Sequence, residues 1–201
     1  MPRSKEVFED MRQVTRQKIE MAALSLFARK GLSVKVSEIA TACEISQGLM
    51  YSHYPSKDAL IIELVQQALT SSSKYVMEHA ESDETAVAKI KNITKMMCLM
   101  FSDAPFGIDY FMFMVQVGMS NFLQQNSLAF SDEIPNPVSI LAGIIVQGQS
   151  EGTAAAGDPF QLSTIYWATI QGLCGYAITG MSVSPDPMIL NRILLNEENY
   201  L

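Results

Sequence analysis

The chain has 201 residues, of which 48% are apolar, enough for one domain or for a small domain fused to a larger one, so a largely disordered chain is excluded. Its formal charge of −7 argues against nonspecific binding to nucleic acid. The charge is uneven, however: from Met11 to Lys57 seven bases (Arg12, Arg16, Lys18, Arg29, Lys30, Lys35, Lys57) stand against Glu20, Glu38 and Glu44, a local +4 that leaves −11 for the rest.

The N-terminal stretch MPRSKEVFEDMRQVTR is polar and of mixed charge, with no apolar core of a secretory signal, so the expected location is the cytoplasm. Cys43, Cys98 and Cys174 lie far apart without CxxC pairing, as expected of buried thiols in a reducing compartment. The first clear element is an amphipathic helix in which Ile19, Ala22, Ala23, Leu26 and Phe27 follow the helical repeat until Gly31 stops it. A two-turn helix follows from Val36 to Cys43, with Val36, Ile39, Ala40 and Cys43 on one face. A third short helix starts with Ser46 as N-cap and is closed by Pro55.

Ser56 caps a fourth, long helix running to about residue 80, with Leu60, Ile61, Leu64, Val65, Ala68 and Leu69 as its apolar stripe. Helices are predicted over about 84–102 and 108–119, and irregular chain over 120–135. Three further helices announce themselves by a capping residue followed by proline: Asn136-Pro137, Asp158-Pro159 and Asp186-Pro187, giving helices over 137–151, 159–181 and 187–199. The expected fold is all-α, with about nine helices. Residues 159–185 carry no charge and are long enough to cross a membrane, but Gln161, Ser163, Thr164, Thr169, Gln171 and Thr179 recur through them and no basic cluster orients them. A buried or partner-facing helix is the better reading, and no membrane association is expected.

Two short helices joined by a tight turn, after an amphipathic helix, form a unit that presents its second helix to the major groove. The sequence IATACEISQGLMYSHYPSKDAL resembles the N-terminal signature of the tetracycline-repressor (TetR) family: Ile-Ala, a short spacer, Ile-Ser-x-Gly, Tyr-x-His, then Lys-Asp-x-Leu. Arg16, Ile19, Ala22, Ala23, Leu26, Phe27 and Gly31 extend the match backwards, so that it covers about residues 12–65. More weakly, IIVQGQSEGTAAAGDPFQLSTIYWATIQGLCGY looks like the glycine-rich turn and Asp-Pro-capped dimerisation helix of such regulators. The resemblance implies a helix-turn-helix head over 1–60, a body for effector binding and dimerisation over 61–201, and helix 4, about 57–80, linking them. Two positions depart from the family. Glu44 stands where glycine is usual in the turn, a place that often needs positive φ, and Lys35 stands where Thr or Ser commonly caps helix 2, leaving Ser33 or Ser37 as candidate caps.

In the helix from Gln47 to His53, the resemblance implies that Met50 and Tyr54 face inward, which turns Gln47, Gly48, Leu49 and Ser52 outward. Gly48 admits close backbone approach, Gln47 can offer a bidentate amide to adenine, and Leu49 can meet a thymine methyl. On residue type alone, an ordinary solvated helix face explains this equally well; the resemblance favours reading of DNA, with Ser46 starting the helix. It also implies that Tyr51, His53 and Lys57 grip phosphates, with Arg12 and Arg16 as further contacts. An enzyme is poorly supported: the histidines are His53 and His79 alone, no metal-ligand spacing or phosphate-binding glycine loop occurs, and Tyr51 and Lys57 are six apart where a dehydrogenase Tyr-x-x-x-Lys needs four. No cofactor or metal is expected.

Six of the thirteen methionines fall between Met96 and Phe122, with several aromatics. For any one of them plain core is the bland reading. The resemblance places an effector cavity in the body, with Met96, Met100, Phe101, Tyr110, Phe113, Met114, Trp167 and Gln171 as candidates for an apolar ligand, and Asp103 and Asp109 as flanking acids for a cationic one. It also implies a homodimer, with Trp167, Gly172, Gly175 and Ile178 at the interface, so that two recognition helices meet a two-fold operator. The expected function is a ligand-responsive, DNA-binding transcriptional regulator, a repressor released from a palindromic operator by a small effector. The alternative is a protein of the same fold that captures a ligand or partner and has lost operator recognition, which the Glu44 change favours.

Overall fold

In a computed structural model, which describes residues 5–102, 105–130 and 135–199, the described chain is helical with no strand: α1 (Lys5–Lys30), α2 (Val36–Ala42), α3 (Gln47–His53), α4 (Lys57–Ala80), α5 (Ala86–Ser102), α6 (Pro105–Gly118), α7 (Phe122–Gln125), α8 (Pro137–Ser150), α9 (Pro159–Ile178) and α10 (Pro187–Asn191). Among the described residues no single helix is long and apolar enough to cross a membrane. The chain divides into two compact units: described residues up to Gln66 together with Phe113–Leu128, and Gln67–Met112 together with the described residues from Ala129 onward. α4 and α6 each contribute to both.

In the first unit, α1 ends where Gly31 takes φ +77 and its N–H returns to the carbonyl of Phe27 at 2.9 Å, the left-handed stop that glycine adopts without a Cβ penalty. The core gathers Ile19, Ala23 and Phe27 of α1, Ile39 of α2, Met50 of α3 and Leu60, Ile61 and Leu64 of α4, all essentially without solvent contact. Phe113, far away in sequence, joins them: its ring stacks on Phe27 at 5.9 Å, and Val117 beside it is fully buried. Phe113 and Met114 are among the residues expected at the effector site. Both lie in this unit, where Phe113 packs on Phe27 and Met114 is half-buried.

The N-cap of α2 is Lys35, not Ser33 or Ser37. Lysine has no acceptor, so the cap is built from the other side: Glu38 takes the backbone N–H of Lys35 at 3.0 Å and the ammonium of Lys30 at 2.9 Å. These contacts hold the Glu38 carboxyl below its ordinary pKa, the Lys35 N–H being the larger cause.

The second unit is built on α8 packed against α9, with α5 beside both and α10 against α5. All three Xaa-Pro starts are realised: Asn136, Asp158 and Asp186 accept from the backbone N–H groups of Val138, Gln161 and Met188 at 2.8–2.9 Å. Gly148 on α8 permits the close packing, since a Cβ there would lie 2.8 Å from that of Ala154 and 3.1 Å from that of Ala86. Lys89, 5% exposed, donates to the carbonyl of Ala80 at the end of α4 and to Gln147. The predicted helix over 187–199 is cut to Pro187–Asn191, because Leu194 and Leu195 turn into the core and Leu195 forms a single β-bridge with Ala154. Cys43 and Cys174 are buried and Cys98 partly so; burial pushes Cys98 to about 11 and Cys174 to about 12, which keeps these thiols protonated.

Candidate nucleic-acid interface

α3 is a two-turn helix whose orientation is fixed at both ends. At its start the Ser46 hydroxyl accepts the N–H of Leu49 at 3.1 Å. At its end Tyr54 leaves the helix with extended φ/ψ, as the residue before a proline must. Met50 and Tyr54 are buried, at 1% and 3% exposure, and root the helix in the core. Gln47, Gly48, Leu49, Tyr51 and Ser52 are therefore turned to solvent, Leu49 and Tyr51 being 43% and 50% exposed. The Ser52 hydroxyl already donates to the carbonyl of Leu49 at 2.7 Å, which leaves it lone pairs for an incoming donor. A Cβ on Gly48 would meet only the Ser46 hydroxyl, at 3.8 Å, so nothing inside the protein requires glycine there.

The anchor under α3 is polar. The Tyr54 hydroxyl donates to the Glu20 carboxylate, and burial together with that contact pushes its pKa far above the usual phenol value. The Arg16 guanidinium lies 5.0 Å over the Tyr54 ring and bridges Glu20 at 3.1 Å and Glu63 at 2.6 Å. Its pKa is raised, first by the hydrogen bond to Glu63. Arg16, expected as a further phosphate contact, is committed to two carboxylates that join α1, α3 and α4. Composition held no signal for this, since the partners lie 4 and 47 positions away.

Lys57 is likewise committed: its ammonium donates to the carbonyls of Leu32 at 2.7 Å and Val34 at 3.3 Å, pinning the loop before α2 to the start of α4. His53 is half-buried beside Arg12 and Arg16, and burial first, then the two cations, lowers its pKa below the usual imidazole value. Arg12 is exposed. Glu44, in the turn between α2 and α3, has φ +56 with its side chain 87% exposed. The turn thus keeps the left-handed conformation that glycine would favour, and Glu44 bears its strain, on the order of 1 kcal/mol or more.

In the second unit Met96, Met100 and Phe101 pack on the core, and Trp167 stacks on Phe111 at 6.1 Å and meets Tyr166 edge-on at 5.5 Å. The Trp167 indole N–H is buried with no acceptor among the described residues. The Tyr110 hydroxyl donates to Gln67 at 3.2 Å, and Asp109 is buried at 7% exposure. Gln171 is exposed on α9, so it does not line the interior with Trp167, and Asp103 lies outside the described residues. Gly172 is exposed and Gly175 and Ile178 half-buried, and a Cβ at either glycine meets nothing within 4 Å.

Residues 20–64 match the model of a family described as bacterial regulatory proteins, tetR family. A 44-residue stretch is 50% identical to an uncharacterised HTH-type transcriptional regulator, YuxN, of Bacillus subtilis (strain 168), and covers 21% of this chain but 15% of that regulator. The fold extends much further. It is similar to that of the SmeT–triclosan complex, at a TM-score of 0.66 and 14% identity, over 94% of this chain and 95% of that one. It is also similar to a transcriptional regulator from Saccharomonospora viridis in complex with choline, at 0.65 and 18%, over 92% and 100%.

Proposed function

We propose that the chain, whose residues 20–64 match the tetR family of bacterial regulatory proteins, is a dimeric, ligand-responsive transcriptional regulator that reads a two-fold DNA operator with α3. The observation that carries this reading is the division of α3 itself. Met50 and Tyr54 are spent on the core, while Gln47, Gly48, Leu49 and Tyr51 are held rigidly in solvent at the start of a capped helix. Gln47 and Leu49 read base edges and Gly48 admits the backbone. Tyr51, Ser46, Ser52 and His53, with Arg12 beside it, meet phosphates. Lys57 contributes mainly by holding the α1–α2 loop, with one donor to spare for a phosphate. Regulators of this family are typically not enzymes, and the chain works in the cytoplasm where its DNA is.

Dimerisation is assigned to α8 and α9. Ser139, Gly143, Val146 and Ser150 are the exposed residues along α8, and Gln161, Ile165, Ala168, Gly172 and Tyr176 run along α9 at the same helical spacing. Both stripes lack charge, and Gly143, Gly172 and Gly175 keep their surfaces low, which suits close helix contact between two copies. The effector site is assigned to Met96, Met100, Phe101, Tyr110 and Trp167, where the unsatisfied indole N–H would pair with an acceptor on an otherwise apolar ligand. The effector acts by preferring the conformer with wrongly spaced heads, and shifts the population by its differential affinity. That conformer makes the chain a repressor released by its ligand.

Selection from randomised duplexes at moderate salt tests the reading, with enrichment of a palindrome as the expected result. If no sequence is enriched, the second reading gains: a fold retained for ligand capture, which the strained Glu44 at φ +56 favours.

A further inference from the structure

α1 carries a feature that DNA reading does not use. Ile19, Ala23 and Phe27 have no solvent exposure and mark its inward face. At 100° per residue, Val7, Met11, Val14, Lys18 and Met21 fall on the opposite face. The four apolar ones are exposed by 42, 49, 65 and 47%. Single exposed apolar residues are ordinary; a row of them along about 20 Å of one helix face is not.

We propose that this row is a docking surface for a second copy of the chain, met by the same row in an antiparallel crossing centred on Val14. The charges argue for that occupant and that direction. Asp10 and Lys18 sit one turn on either side of Val14, in the same i±4 ridge that packs into the groove of a neighbouring helix. A two-fold axis at Val14 sets Val14 on Val14, Val7 near Met21, and Asp10 of each copy near Lys18 of the other. A parallel pairing would set Asp10 on Asp10 and Lys18 on Lys18. Within its own chain Lys18 pairs with Glu44 at 3.8 Å, with both side chains largely in solvent, a pair that costs little to exchange. The surface is self-complementary and closes at two copies.

One helix pair falls well short of the roughly 20–30 residues a side of a standard interface. The contact is therefore weak in dilute solution, and it gains effect where two copies are already held close, as at neighbouring operators on one duplex. That last use rests on the regulator reading; the contact itself does not, and its test contains no DNA.

The test uses the full chain with Cys98→Ser, in which Cys43 and Cys174 are buried, and a short bismaleimide as cross-linker. Val14→Cys is expected to give a linked pair of chains much faster than Phe8→Cys, a residue 64% exposed on the flank of the row. Adding Asp10→Lys should slow the Val14→Cys reaction by about fivefold, the worth of two exposed ion pairs. Combining Asp10→Lys with Lys18→Asp should restore it. Linking at Val14 no faster than at Phe8, or a charge exchange that fails to restore the rate, overturns the proposal.

Discussion

The Lys57 ammonium lies 2.7 Å from the carbonyl oxygen of Leu32 and 3.3 Å from that of Val34, so a lysine from the most conspicuous motif of the chain is a clasp within the protein. Lys57→Ala leaves two carbonyls without a charged donor and is expected to cost about 1–2 kcal/mol of stability, read as a lower denaturant midpoint. Tyr51→Phe, at an exposed position, should leave the midpoint unchanged while weakening binding to all duplexes alike.

Glu44→Gly removes a non-glycine residue from φ +56. Relief of the left-handed strain outweighs the added freedom of the unfolded chain, so stability should rise by about 0.5–1 kcal/mol, or roughly 2–3 °C in Tm. A fall in Tm would mean that the weak contact with Lys18 matters more than the backbone.

Gly48→Ala should move stability and binding in opposite directions. The new methyl fits, with only the Ser46 hydroxyl near it, and alanine in a helix is worth up to about 1 kcal/mol over glycine. The same methyl stands between α3 and the groove, and duplex affinity measured by fluorescence anisotropy is expected to drop. A variant that is more stable and binds unimpaired would show that Gly48 does not face DNA.

His53 gives a pH dependence with two opposite signs. Its folded pKa is lowered by burial, Arg12 and Arg16, so below about pH 6.5 the unfolded chain binds more protons and some stability is lost as the pH falls. A phosphate beside His53 reverses the preference and favours the imidazolium. Duplex affinity should therefore rise as pH drops from 7 towards 6 even as stability declines, and His53→Gln should flatten both trends.

Val146→Arg together with Ile165→Arg places four charges in the proposed α8–α9 interface of a dimer while touching no core residue of the monomer, both positions being about half exposed. Light scattering is expected to show dimers for the parent chain and monomers for the variant, with unchanged helical circular dichroism.

Much of this was legible in the sequence because it depends on neighbours within a few residues. Helical spacing, the Ser46 cap, the Gly31 stop and the three Xaa-Pro starts act over one or two turns, where composition and geometry are tied. The inward turn of Met50 and Tyr54 was implied by the family resemblance and is what their burial shows. What lay beyond reach involved partners distant in the chain: Glu63 on Arg16, Leu32 on Lys57, Leu195 on Ala154, and Phe113 on Phe27. A side chain's type limits what it can do, and local pattern tells which way it points. Whether a cation spends its charge on a carboxylate, on a backbone carbonyl or on a phosphate from outside depends on which distant groups the fold brings within about 3 Å, and that is settled when the core packs.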